Sequence, residues 1–265
     1  MAAVAVPLTT RPELTPDEQI SLRHLEHYLP GYDKFFIAAE GMALPQTSGY
    51  DVQYFDARYF GGIQAHTRLL LSKGFYKRFL DYQYVLVYHL DALVFSDGLE
   101  YWCNRGYDFI GGPLQVEGSD RPNRVGNGGF SLRNVRSCLK VLRSRVPFLS
   151  RHELAGREAP GRWIKQLGFF NDVSHEIRIS LATLLYDDIF LCTRGAHYYP
   201  DFKVAPLEVA LEFAFDEAPA TCFRLRNDCL PFGCHGWFKH DRTVWEPYLL
   251  SPEKPVAGPA PLPAA

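Results

Sequence analysis

Residues 81–95 read DYQYVLVYHLDALVF, and their pattern decides the fold class. From Tyr82 to Leu90 the run is almost unbroken in strand-forming residues, apolar or aromatic on both alternating faces. That is the pattern of a central parallel strand covered on both sides by helices. The run ends in His89-Leu90-Asp91, which sets an imidazole and a carboxylate on the same side of the chain at the strand's carboxyl end. In open α/β sheets ligands bind along that edge. A buried carboxylate there costs several kcal/mol unless a cation or a hydrogen-bond donor faces it. Asp91 is therefore either a metal or nucleotide ligand or the cap of the turn that follows.

Upstream, Ala3 to Leu8 reads as a first strand. Thr15-Pro16-Asp17-Glu18 is a capping box with Pro at the first helical position, opening a helix to about Leu29 with Leu22, Leu25 and Leu29 on one face. Lys34 to Ala39 is a second strand, ending at Glu40-Gly41, and Asp51 to Phe55 a short third. Gly61-Gly62 precedes a helix from about Ile63 to Leu80. The order β-α-β-β-α-β predicts an α/β fold with a mostly parallel, doubly wound sheet.

Downstream come a short helix, Leu99 to Asn104, a strand, Tyr107 to Ile110, and a polar loop, Gln115 to Arg124. Residues 125–133, VGNGGFSLR, carry three glycines within four residues and run into a helix bearing Val135, Leu139 and Leu142. Such a backbone must approach something closely or take positive φ, either as a phosphate or sugar cradle or as a glycine-rich bulge. It matches neither the P-loop nor the dinucleotide fingerprint. Phe169 to Leu185 reads as a helix with Asn171-Asp172 at its start, and Asp172 is either functional or a cap. His175-Glu176 does not continue to H-E-x-x-H, which excludes zinc-protease chemistry. Ile189 to Thr193 reads as a strand and Pro206 to Phe215 as a helix. His235 then stands in PFGCHGW, between glycines and aromatics.

With 265 residues, 47% of them hydrophobic, the chain has ample apolar area for one domain over residues 1–250. Residues 251–265, SPEKPVAGPAPLPAA, form a Pro/Ala tail that is expected to be disordered. A net charge of -2 and no Lys/Arg cluster argue against a nucleic-acid partner and for small polar ligands. Six cysteines without a C-x-x-C pair fit reduced thiols in a cytoplasmic protein. Cys222, Cys229 and Cys234 lie close enough for a zinc knuckle, but not at a standard ligand spacing. No stretch of 18 apolar residues predicts a transmembrane segment.

YHLDALVF (88–95), LEYWC (99–103), GYDFIG (106–111) and VGNGGFSLR together resemble a family described as a domain of unknown function and regarded as GT-A-type glycosyltransferases. The resemblance runs from about Ala3 to about Tyr248 and implies a GT-A-like, Rossmann-like single domain. It implies transfer of a sugar from a nucleotide-sugar donor to the hydroxyl of a glycan or other acceptor. Asp91 and His235 would then hold Mn²⁺ or Mg²⁺ on the donor diphosphate, with His89 in place of the first acid of the usual D-x-D triplet. Asn127, Gly128 and Gly129 would face the donor sugar. Asn171-Asp172 would stand for a Glu-Asp pair, with Asp172 the general base of an inverting displacement. Glu40 is a candidate for the nucleobase or ribose, or else an exposed loop residue. The competing reading is a non-catalytic nucleotide-sugar or glycan-binding member of the same fold. A nucleotidyltransferase would need a Gly- and Lys/Arg-rich loop after the first strand, and LTTRP (8–12) does not supply one.

Overall fold

A computed structural model of the chain describes residues 1–8, 11, 13–45, 49–115, 121–144 and 186–250. The strands among the described residues are β1 (Ala2–Pro7), β2 (Asp33–Ala39), β3 (Asp51–Phe55), β4 (Tyr84–Tyr88), β5 (Leu93–Val94), β6 (Phe109–Gly111), β7 (Pro113–Leu114), β8 (Arg124–Val125), β9 (Phe130–Asn134), β10 (Ala214–Phe215) and β11 (Gly233–Cys234). Six of them form the central sheet, in the order β3-β2-β1-β4-β9-β6. β1 to β4 run parallel, and β9 is antiparallel to both β4 and β6. The α/β class with a mostly parallel sheet and flanking helices is therefore the one that forms.

The chain goes from β1 to β2 through α1 (Pro16–Tyr28), and from β3 to β4 through α2 (Ile63–Leu70) and α3 (Lys73–Lys77). Because β2 lies on one side of β1 and β4 on the other, the two crossovers part at β1 and open a crevice at the carboxyl ends of β1 and β4. β4 is buried on both faces: Tyr84, Leu86 and Tyr88 point into one core, Val85 and Val87 into the other. α1 packs on the first of these through Leu22, Leu25 and Leu29, each contributing about 1.5–3 kcal/mol by burial. The capping box is present, with Thr15 Oγ1 accepting from the Glu18 amide at 3.2 Å and the Glu18 carboxylate accepting from the Thr15 amide at 2.7 Å. The second face packs against α2, α3, α5 (Val135–Arg143) and a helix over Asp187–Tyr198. Beyond the main sheet, β10, β11 and β5 form a three-stranded sheet over a third cluster containing Phe95, Phe215, Trp237 and Trp245.

Several elements differ from the sequence reading, each for a local reason. The helix expected over Ile63 to Leu80 breaks at Ser72, whose Oγ accepts from the Phe75 amide at 3.0 Å and starts α3 afresh. Between them, α4 (Leu99–Asn104) is as expected, and the next strand begins at Phe109. Ile189 to Thr193 is not a strand but lies within α6 (Asp187–Tyr198). Its β-formers mislead because Phe190, Leu191 and Tyr198 fall on the buried side, while Asp187 and Asp188 favour the helix amino end. The helix expected over Pro206 to Phe215 is shorter, as α7 (Leu207–Phe213), and Ala214–Phe215 form β10 after it. The Phe169 to Leu185 helix, the tail at 251–265 and the centre of the polar loop lie outside the described residues. Among the described residues, no helix is long and apolar enough to cross a membrane.

His24, fully buried on α1, ties the chain's last described residues to this frame. Its Nδ1 donates to the Val94 carbonyl at 2.9 Å, and its Nε2 accepts from the Leu250 amide at 3.0 Å. This pattern requires the neutral ring, and burial lowers its pKa from 6.5 to about 4. A lowered folded value means stability is full above 6.5 and is lost as pH falls toward 4. The loss is about 1.4 kcal/mol per pH unit, about 3 kcal/mol in all. Urea unfolding of wild type and His24→Gln between pH 7 and 4 should show the stability gap between them narrowing as pH falls; a constant gap would remove this role.

Candidate functional site

β4 ends at Tyr88 and the chain turns through His89-Leu90-Asp91, closed by the Ala92 amide donating to the His89 carbonyl at 3.0 Å. The turn leads into β5, which pairs antiparallel with β11. That pairing brings His235, the residue after β11, against Asp91, and the Trp237 amide donates to the Asp91 carbonyl at 3.1 Å. His235 Nε2 stands 3.2 Å from Asp91 Oδ1, and its Nδ1 stands 3.2 Å from Asp216 Oδ1. Lys239 Nζ closes on the other oxygen, Asp91 Oδ2, at 2.5 Å. Ligand atoms of His89, Asp91 and His235 all lie within 4.8 Å of one another. His89 Nε2 in turn meets His66 Nε2, from the first turn of α2, at 2.9 Å.

The electrostatics follow from burial set against these partners. Burial pushes the Asp91 carboxyl up, but the hydrogen bond and charge of His235, helped by His89 and Lys239, outweigh it and hold the group well below the usual carboxylate range. Burial would lower His235; hydrogen bonds to Asp216 and Asp91 overcome it and lift the ring to about 10. His89 and His66 are lowered, first by burial, and both are neutral.

The cluster adjoins a cleft of about 580 Å³ in the crevice between β1 and β4. Leu8 lines it from the end of β1, His89 and Asp91 from the end of β4, Gly62 and His66 from the start of α2, and Lys239 from the carboxyl-terminal segment. Glu40 does not line it: the side chain is exposed at the end of β2, on the far side of β1 from the cluster.

The glycine segment is fixed by protein packing. A Cβ on Gly126 would overlap Leu114, and one on Gly129 would overlap the His235 imidazole. One on Gly128 would meet Asp187 Oδ2 at 3.2 Å. Asn127 between them takes φ 62°, and its Oδ1 accepts from the Gly129 amide at 3.0 Å. These residues form a thin wall, with His235 against one end and the start of α6 against the other.

Sequence reasoning missed that helix start. Arg133, fully buried on β9, donates from Nη2 to Asp187 Oδ2 at 2.6 Å and from Nε to Ser131 Oγ at 3.0 Å. Asp188, also buried, accepts from the Ile189 amide at 2.7 Å. Burial, then the charge of Asp187, pushes the Asp188 carboxyl up to about 6. Asn171-Asp172, which the resemblance puts in the place of a Glu-Asp pair, lies outside the described residues; Asp187-Asp188 is an acidic pair at a helix start and stands beside the glycine wall. Reading Ile189 to Thr193 as a strand hid it. Cys222, Cys229 and Cys234 are free thiols, the first and last buried and pushed up in pKa by burial, and they form no metal-ligating group.

The fold, an α/β architecture with a mostly parallel central sheet and flanking helices, is that of GT-A glycosyltransferases. The chain is similar over 92% of its length to 92% of the galactosyltransferase LgtC, solved in complex with donor and acceptor sugar analogs, at a TM-score of 0.51 and 12% identity. It is also similar over 89% of its length to 98% of mouse xyloside xylosyltransferase 1 in its apo form, at a TM-score of 0.48 and 11% identity. No curated protein matches it by sequence. The chain belongs to the family described as "Protein of unknown function (DUF5672)", whose model matches residues 49–235. That span includes His66, His89, Asp91, the glycine wall, Asp187-Asp188 and His235.

Two stability outcomes follow from this packing. Asp187→Ala leaves the Arg133 charge buried alone and should lower unfolding free energy by about 3–5 kcal/mol. Gly129→Ala forces the His235 ring aside and should cost about 1–3 kcal/mol. Denaturant unfolding measures both; a Gly129→Ala protein as stable as wild type would show that the wall has room.

Proposed function

We propose that the chain is a glycosyltransferase that moves a sugar from a nucleotide-activated donor to an acceptor hydroxyl, inverting the anomeric carbon, with a divalent ion at Asp91 and His235. What carries the reading is the convergence of Asp91, His89 and His235 at the switch-point cleft, in a fold shared with a galactosyltransferase. The donor set fits such an ion. Asp216 engages His235 Nδ1 and leaves Nε2 directed at Asp91, the outer-shell arrangement that orients metal-bound imidazoles. When bound, the ion offsets the negative charge growing on the leaving diphosphate. Lys239, on the cleft wall, adds a second cation for the same oxygens. Asn127, Gly128 and Gly129 shape the wall that the donor sugar lies along.

Asp188 takes the role of general base. Its carboxyl, near 6, sits where a base is both deprotonated at neutral pH and basic enough to accept the acceptor's proton. Asp187 is unsuited, because Arg133 already holds it.

One observation favours the non-catalytic reading. Lys239 on one Asp91 oxygen and a protonated His235 on the other satisfy the carboxylate with the protein's own cations. A thermal-shift and hydrolysis screen over UDP-, GDP-, CMP- and dTDP-sugars, with and without Mn²⁺ or Co²⁺, separates the two. Turnover supports transfer, whereas binding without any turnover supports a binder.

Asp91→Asn should abolish the metal-dependent part of donor binding while the protein stays folded, as a metal titration followed by donor thermal shift would read. Asp188→Asn should cut turnover by about 10²–10⁴-fold. It should not lower the melting temperature at pH 7. A carboxyl raised from 3.8 to about 6 stabilises the fold below 3.8 and loses that contribution as pH rises through 6, and the neutral amide avoids the loss. Asp172→Asn is the comparison: if that change alone stops turnover, the base is Asp172. Product NMR showing retained configuration would sink the single-base mechanism.

A further inference from the structure

We infer that Lys239 is a built-in competitor for the divalent ion: its ammonium holds Asp91 until the ion drives it off into the cleft. The inference rests on the reading of Asp91 and His235 as a metal site, and concerns what that site must give up to be filled.

Asp91 has one negative charge and two partners for it. His235 Nε2 stands 3.2 Å from Oδ1, and Lys239 Nζ stands 2.5 Å from Oδ2. His235 is itself a ligand under that reading, so its nitrogen can pass from the carboxylate to the ion and stay in the site. An ammonium has no lone pair to offer a metal, so Lys239 can only oppose the ion or leave. Binding on Oδ1 alone does not avoid the conflict. Two further positive charges would then stand within a few ångströms of Nζ, beside a buried carboxylate where such charges are poorly screened.

The surroundings give Lys239 a way out and confine the movement to its side chain. The backbone around it is fixed, because Trp237 is fully buried with its indole on Ser21 Oγ and its amide on the Asp91 carbonyl. Gly236, at φ 64°, turns the chain there, and the Lys239 and His240 amides both donate to its carbonyl at 2.8 Å. The Lys239 side chain is 58% exposed, against 8% for Asp91, and it already lines the cleft. A lysine so exposed gains little from an ion pair that water would not give it, so releasing it costs little. Once released, the ammonium stands where the donor's diphosphate would lie. Arg11 offers a contrast on the same cleft: its side chain is 51% exposed, and its Nη2 pairs with Glu18 Oε1 at 2.7 Å rather than with Asp91.

The test is calorimetric titration of metal-stripped protein with Mn²⁺ and with Co²⁺, in the absence of nucleotide, for wild type, Lys239→Met and Arg11→Met. Melting curves verify folding, and Lys239→Met leaves Asp91 its His235 partner. Acylation of lysines in the wild type, read by mass spectrometry with and without the ion, follows Lys239 directly and needs no variant. Expected are at least about fivefold tighter ion binding by Lys239→Met, binding by Arg11→Met within about twofold of wild type, and faster acylation of Lys239 than of other lysines when the ion is added. Unchanged affinity in folded Lys239→Met, or acylation of Lys239 indifferent to bound ion, would overturn the competition and leave the metal site standing. Equal tightening in Arg11→Met would reduce the effect to general charge and overturn it as well. Absence of binding of either ion by all three proteins would overturn this inference together with the metal part of the proposed function.

Discussion

A carboxylate buried at the end of a central strand must be matched by cations or donors, and most of the site's architecture answers that requirement for Asp91. The strand that carries it cannot supply them, because β4 is apolar on both faces. They come instead from the far end of the chain, as His235 and Lys239. Getting them there takes backbone pairing of β11 with β5 and the Trp237 amide on the Asp91 carbonyl. The tether extends inward: the Trp237 indole donates to Ser21 Oγ at 2.9 Å, and the Tyr88 hydroxyl donates to the Ser21 carbonyl at 2.7 Å. α1, β4 and the carboxyl-terminal segment are thus joined at one buried serine, and the third hydrophobic cluster closes only when that segment is home. Site geometry and core closure are one event.

The parts of this arrangement legible in the sequence are those with strong local signals. Strand order through β4 could be read because each strand is a short apolar run bounded by turn or cap residues, and the Thr15 capping box has a spacing that few other structures use. His89, Asp91 and His235 stood out because polar residues interrupt apolar or glycine-rich surroundings. His66 and Lys239 gave no such signal, being single polar residues at a helix start and on a surface turn. Their importance comes from a crossover and a strand pairing that bring distant segments together. Arg133 was quoted within the glycine motif, yet its role needs Asp187, and Asp187 could not be recognised as a helix start while the following β-formers read as a strand. Tertiary packing of Phe190 and Leu191 overrode that propensity.

The glycine segment shows how packing adds to what a sequence pattern suggests. A run with three glycines in four residues suggests a cradle open to a ligand. Here the missing side chains make room for Leu114, Asp187 and His235. The glycines still serve the site, but by letting its two halves come close: a side chain on Gly129 would hold the imidazole away from Asp91, and one on Gly128 would crowd the Arg133–Asp187 pair.

The two halves treat their carboxylates in opposite ways. Asp91 faces more positive charge than it needs and is held ionised. Asp188 faces too little, because the Arg133 guanidinium is committed to Asp187 next to it, and so its proton affinity rises. Separate roles for paired carboxylates come from environments that push their proton affinities apart. On this protein the separation is produced by one buried arginine that neutralises the nearer acid of a pair and leaves the other exposed to that acid's charge. The unmatched carboxylate lowers stability at neutral pH, because a raised carboxyl pKa stabilises the fold only while the group is protonated. The overmatched one does the reverse, since His235 and Lys239 favour its ionised form in the folded protein. The glycine segment lies between the two, packed against the His235 ring at Gly129 and against Asp187 at Gly128.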